Sequence, residues 1–224
     1  MAEILALGDC NTAGVGDLHA QSYPELFAKE IGKNVKNCGY TMSTTREMIY
    51  FFNNNFTKDT EIILIQYGLV DSWKTFKYSP YVLYYPDTTV RKFFRKLVKK
   101  YKKICKNLGL NELLGVENVV DLDEYKKNIE YVIEKARGCK IFLIDTIPNQ
   151  ETFRNSEIQK YNEAMKILSS KYQNVFKVNA YYDFEDQKKL YLDATHMNAK
   201  GIKLITKNIL TVYADTINLQ QGNI

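Results

Sequence analysis

Cysteine, histidine, proline and tryptophan are scarce in this chain of 224 residues, with four, two, four and one respectively. Cys10, Cys38, Cys105 and Cys139 lie far apart without CxxC spacing, and His19 and His196 are too few to complete a zinc set. A disulfide framework, a structural metal and a bound cofactor are therefore not expected, and reduced thiols are. No apolar run approaches the roughly 20 residues that span a bilayer. The opening MAEILALGDC has an acidic third residue and no basic leader, so it does not read as an export signal and a cytoplasmic protein is expected. Repeats, low-complexity tracts and linkers are missing too, which leaves one domain over residues 1–224.

What is present is an ordinary globular balance, 45% apolar and 25% charged, which excludes a disordered or fibrous chain. The net charge of +5 is unevenly placed. Residues 91–106, RKFFRKLVKKYKKICK, hold nine Lys/Arg and no acid, so the other 22 bases face 26 acids.

Glu3–Leu7, Val35–Cys38, Glu61–Tyr67, Lys140–Asp145 and Asn174–Asn179 are short apolar or β-branched runs that read as strands. Between them, helical spacing marks Tyr23–Ile31, a segment starting near Thr44, Asp87–Leu108, Leu122–Ala136, Ser156–Leu168 and Ala199–Val212. Thr44-Thr-Arg-Glu47 fits a capping box. The alternation predicts an α/β fold, a three-layer α/β/α sandwich around a five-stranded, mainly parallel sheet of flavodoxin-like type.

In such sheets ligands sit beyond the carboxyl ends of the strands. There the sequence places Gly8–Gly14, Gly39–Thr45, Gly68–Trp73 and Thr146–Gln150, with His196 just before the last helix. Cys10 would stand on a tight strand-to-helix turn, where a helix N-terminus and an imidazole would lower its pKa. Asp193 and His196 are three apart, so the carboxylate can hold one imidazole nitrogen while the other faces outward. That is the nucleophile–base–orienter set of acyl transfer. A lone Cys after a strand also suits a small buried hydrophobe, and Asp-x-x-His also suits a helix cap.

ALGDCNTAG near the start and YLDATHMNAKG near the end resemble the SGNH (GDSL) hydrolase superfamily. Its blocks are GDS after the first strand, a glycine after the second, G-x-N-D after the third and D-x-x-H near the end, and all four positions occur here in order. The resemblance implies a three-layer sandwich with a five-stranded parallel sheet, and an esterase, thioesterase or acyltransferase acting on lipid, carbohydrate or polysaccharide esters. It makes Cys10 the nucleophile in place of serine, His196 the base and Asp193 its orienter. The same resemblance puts Asp9, Gly39, Met42, Val70 and Asp71 at the oxyanion and substrate-binding positions, and Trp73, two residues past Asp71 in the aromatic loop, is the expected substrate contact. Three blocks depart from the pattern: Cys10 replaces serine, Met42 stands where the second block has glycine (with Gly39 nearby), and Val70 replaces asparagine. Backbone N–H groups of Cys10 and Met42 could persist in an oxyanion hole, but Val70 offers no side-chain donor. Losing one such donor typically costs roughly 10² to 10³ in rate. Asn11, Ser43, Thr44, Arg46 and the aromatic loop are the candidates to compensate.

The connection from Gly68 to Pro86 carries Trp73, Phe76, Tyr78, Tyr81, Tyr84 and Tyr85, faces that suit a sugar ring or that cap the core as a packed loop. Tyr181 and Tyr182 would line the opposite wall. The basic stretch 91–106 reads as a solvated helix face, as a contact for an acidic glycan or phosphorylated carrier, or as a membrane-surface helix. It carries none of the nucleic-acid motifs. Cys38 could approach Cys10 as a redox pair. The expected function is an acyl-ester or thioester hydrolase or acyltransferase on a carbohydrate or polysaccharide precursor, or else a degenerate descendant that binds a glycan or its carrier without turnover.

Overall fold

The structure, a computed structural model, describes residues 2–221, apart from the side chains of residues 110, 111 and 219–221. In chain order it runs β1 (Ile4–Gly8), α1 (Cys10–Ala13), α2 (Tyr23–Glu30), β2 (Val35–Gly39), α3 (Thr45–Asn55), β3 (Ile62–Gln66) and β4 (Lys74–Phe76). Then come α4 (Thr89–Asn107), α5 (Leu110–Leu114), β5 (Val116–Asn118), α6 (Leu122–Lys135), β6 (Lys140–Ile144), α7 (Asn155–Lys171), β7 (Val175–Val178), α8 (Tyr181–Phe184) and α9 (Ala199–Gln221).

Five strands pair in parallel in the order β2-β1-β3-β6-β7. Because side chains alternate along a strand, each strand feeds two cores. Leu5, Leu7, Ile63, Ile65, Ile141 and Leu143 point into a cluster closed by Met48 of α3, Ile129 of α6 and Met165 of α7. Ile4, Ala6, Ile62, Leu64, Phe142 and Ile144 point the other way, against Phe27 of α2 and Ile205 and Ile209 of α9. Coverage of both faces is why these strands read as continuous apolar runs. The three layers and the five-stranded sheet are those expected from sequence.

Two features differ from the sequence expectation. The connection after β3 is not irregular throughout: β4 pairs antiparallel with β5, Lys74 opposite Asn118 and Phe76 opposite Val116. At three residues each, these strands are too short to leave an alternating pattern. α9 also runs past Val212 to Gln221, since no glycine or proline interrupts residues 202–221. Among the described residues, no helix is long and apolar enough to cross a membrane.

Candidate active site

β1 stops at Gly8, and Asp9 caps α1 by accepting the Asn11 N–H at 2.9 Å. Cys10 is thus the first helical residue. α1 lies directly on the ends of β1 and β2, where Gly8 and Gly39 are register partners. A Cβ on Gly39 would meet the Ala13 nitrogen at 2.3 Å, and one on Gly8 would meet Thr12 Oγ1 at 1.8 Å. Only hydrogen fits at either position.

The opposite end of the chain supplies a second tight turn. Asp193 Oδ1 accepts the N–H groups of Thr195 at 2.7 Å and His196 at 2.8 Å, and Oδ2 meets His196 Nδ1 at 2.7 Å. With Nδ1 donating to the carboxylate, Nε2 is the basic nitrogen left for chemistry. Asn11 ties the two turns together. Its Nδ2 donates to the Thr195 carbonyl at 3.2 Å, and its Oδ1 accepts the Met197 N–H at 3.0 Å. Both neighbours of His196 are therefore bonded to the residue that follows Cys10.

The electrostatics correct one expectation. The Cys10 thiol is not lowered: burial pushes its pKa well up, and the negative charges of Asp9 and Asp193 add to the rise. The N–H groups of Cys10 and Asn11 oppose the shift without offsetting it. A four-residue helix has too little aligned dipole to do more. Cys10 is 5% exposed and packs against Leu69, Ile158 and Tyr181. Burial also lifts the Asp9 carboxyl, to about 6, against the Asn11 N–H, His196 and the Cys10 side chain, which favour its charged form. For Asp193 burial acts upward, but the bonds from His196 and Thr195 outweigh it and hold the carboxyl below its ordinary value.

The remaining sequence candidates divide. Met42 adopts φ 64°, the left-handed region that the second-block glycine would enter freely. No partner for its N–H is found among the described residues. Val70 is buried. Both line a cleft of about 240 Å³ together with Trp73, Tyr81 and Tyr84, with Arg95, Lys99 and Lys102 of α4 across from them. Cys10 and His196 are not in its wall.

Gly39 is a packing residue rather than a donor, because its N–H already binds Asn37 Oδ1 at 2.8 Å. Asp71 is likewise not a substrate contact. It is fully enclosed, and its Oδ1 accepts the N–H and hydroxyl of Thr45 at 2.9 and 2.7 Å, so it anchors the start of α3. Its Oδ2 is buried without a partner, and burial raises its pKa to about 7.

The candidates to replace the missing asparagine are mostly occupied. The Asn11 side chain holds the His196 turn, and Ser43 donates to Gly8 and Tyr40 carbonyls. Thr44 donates to Glu47, and Arg46 is bidentate on Glu124 at 2.6 Å. Trp73 differs: its Nε1 is buried without a partner, beneath the Arg154 guanidinium at 5.1 Å.

Glu47 is a residue whose reach the sequence did not reveal. Beyond closing the Thr44 capping box, it accepts from Tyr81 Oη and the Tyr84 N–H, pinning the aromatic loop to α3. Tyr181 packs beside Cys10 and Tyr182 is exposed, and neither lines the wall opposite Trp73 that was expected of them. His19 is exposed as well. Cys10 and Cys38 are free thiols in separate cores, so the structure forms no redox pair from them.

No family model matches this chain, and no curated protein matches it by sequence. Solved structures do resemble it. A lipase/acylhydrolase from Enterococcus faecalis superposes with a TM-score of 0.65 at 15% identity, covering 94% of each chain. A lipolytic protein of the G-D-S-L family from Veillonella parvula gives 0.63 at 15%, covering 94% of this chain and 97% of its own. A catalytic mutant of an acetylxylan esterase from Geobacillus stearothermophilus gives 0.63 at 15%, covering 94% and 93%.

Proposed function

From a chain that has the fold of the SGNH (GDSL) hydrolases, we propose an ester or thioester hydrolase or acyltransferase with Cys10 as nucleophile, His196 as general base and Asp193 as its orienter. The observation that carries this reading is the Asn11 bridge, which fastens Thr195 and Met197 beside Cys10. The acetylxylan esterase adds a parallel: its two catalytic mutants alter a histidine and an aspartate three positions before it, the spacing of His196 and Asp193 here.

With the thiol pKa raised, Cys10 rests as a neutral thiol. His196 Nε2 takes the proton as the sulfur attacks the acyl carbonyl, and Asp193 stabilises the imidazolium. The backbone N–H groups of Cys10 and Met42 receive the oxyanion. Collapse expels the alcohol or thiol, which recovers the proton from His196. The resulting thioester passes its acyl group to water or to an acceptor hydroxyl or amine. A carbohydrate ester suits the cleft, whose Trp73, Tyr81 and Tyr84 offer faces to a sugar while Arg95, Lys99 and Lys102 favour acidic groups.

Incubation with p-nitrophenyl acetate should add one acetyl group to Cys10, detectable by mass spectrometry. Cys10→Ala should abolish the adduct, and His196→Ala should slow its formation by at least roughly 10³-fold. A wild-type protein that never acylates, yet binds glycans as well after Cys10→Ala, would instead be the binding-only descendant. The enclosure of the sulfur and the loss of a donor at Val70 favour that second reading.

A further inference from the structure

The expected solvated helix over residues 91–106 is only half of what α4 presents. Val90, Phe94, Leu97, Tyr101, Ile104 and Leu108 recur in steps of four and three, forming one straight stripe. The structure leaves most of that stripe in solvent: Leu97 is 46% exposed, Phe94 50%, Val90 64% and Leu108 71%, while Tyr101 also meets the buried Phe76 edge-on at 5.9 Å. The adjoining side of the helix is the used one. There Arg95, Val98, Lys99 and Lys102 face the cleft, Arg95 pairs with Asp87, and Arg91 donates to the Tyr85 carbonyl. The apolar stripe is therefore not the inward face of this helix. In α5, Leu113 is 78% exposed as well.

Beside the stripe runs a second row with the same spacing, Lys96, Lys100 and Lys103, all exposed. None has an acidic partner among the described residues. A stripe about 27 Å long with a cationic border is the pattern of a helix that lies in a membrane interface, apolar side chains in the acyl boundary and lysines at the headgroups.

Charge decides between that occupant and a second copy of the chain. Two copies packed stripe to stripe would set these lysine rows against each other, with no acid between residues 91 and 106 to complement them. An acidic glycan would satisfy the lysines and leave the stripe in water. We infer that the α4 stripe with its Lys96, Lys100 and Lys103 border docks the protein onto an anionic lipid bilayer, lying on the surface without crossing it. This inference is independent of the proposed acyl chemistry.

Cosedimentation of the full chain with large vesicles tests it. Binding should be weak on pure phosphatidylcholine and rise at least tenfold when about a third of the lipid is phosphatidylserine, and high salt should reverse the gain. Phe94→Glu with Leu97→Glu should cost at least tenfold. Lys96→Gln, Lys100→Gln and Lys103→Gln together should cost on the order of 100-fold, at about fivefold per lysine lost. All five side chains are exposed, and unchanged circular dichroism would show that the variants fold. Equal binding to neutral vesicles would overturn the inference, as would no vesicle binding at all. A concentration-dependent dimer lost in the Leu97→Glu variant, without lipid binding, would show that a second copy is the occupant.

Discussion

The junction of α1 with the Asp193–His196 turn and the segment from β4 to β5 are built in opposite ways. At the junction, polar side chains are enclosed and matched across the chain: Asn11 bonds residues 184 and 186 positions away. Glycines there remove every spare atom between α1 and the strands. Between β4 and β5 the aromatic loop is tied to α3, but α4 itself is held mostly by local contacts. Asp87 pairs with Lys92 and Arg95, α4 lies against α5, and the large apolar side chains of α4 face solvent. The first region gives up freedom to hold a geometry. The second keeps a surface free.

If that contrast is real, substitutions should separate the two regions by size of effect. Asn11→Ala removes two long-range bonds, one buried and one partly buried, and strands the Thr195 carbonyl and Met197 N–H. Chemical denaturation should show a loss of about 2–4 kcal/mol, accompanied by slower acylation of Cys10.

A middle effect should appear with pH at Asp71. Its folded pKa of about 7 lies above the ordinary 3.8, so the folded state holds this proton more tightly than the unfolded chain. The stabilisation is complete below about 4 and is lost as pH rises through 7. Wild-type stability should fall from pH 5 to pH 8 by on the order of 1 kcal/mol per pH unit more than that of Asp71→Asn. An equal slope in the two proteins would mean that Asp71 keeps its charge inside the fold.

Leu97→Gln, on the open stripe, should change stability by less than about 0.5 kcal/mol. A larger loss would mean that the stripe packs on the protein itself, and the contrast between the regions would fail.

The sequence revealed these regions unequally, for physical reasons. The runs Glu3–Leu7 and Glu61–Tyr67 were legible as strands because burial on both faces leaves residues 4–7 and 62–65 without a polar position. Thr44 and Glu47 marked the start of α3 because a capping box needs those types at that spacing. Cys10, Asp193 and His196 were nominated as a set by local motifs, and the Asn11 bridge supplies a long-range link between their two turns that those motifs could not show. The thiol's raised pKa was hidden, since it depends on Leu69, Ile158, Tyr181 and two carboxylates that only the fold gathers. The roles of Gly39 and Asp71 were hidden for the same reason, each being decided by the neighbour it meets. For α4 the periodicity gave the helix correctly but carried no information on which side is covered. Helical spacing records that a face is apolar, and burial is a property of what lies opposite.

The Asn11 bridge also has a consequence for biosynthesis. A ribosome makes the Cys10 turn almost 190 residues before it makes the His196 turn. Until Met197 has emerged, Asn11 lacks the Thr195 carbonyl and the Met197 N–H that it bonds in the fold. A polypeptide interrupted before that point cannot close the junction, so any chemistry that needs both turns waits for the second to be made.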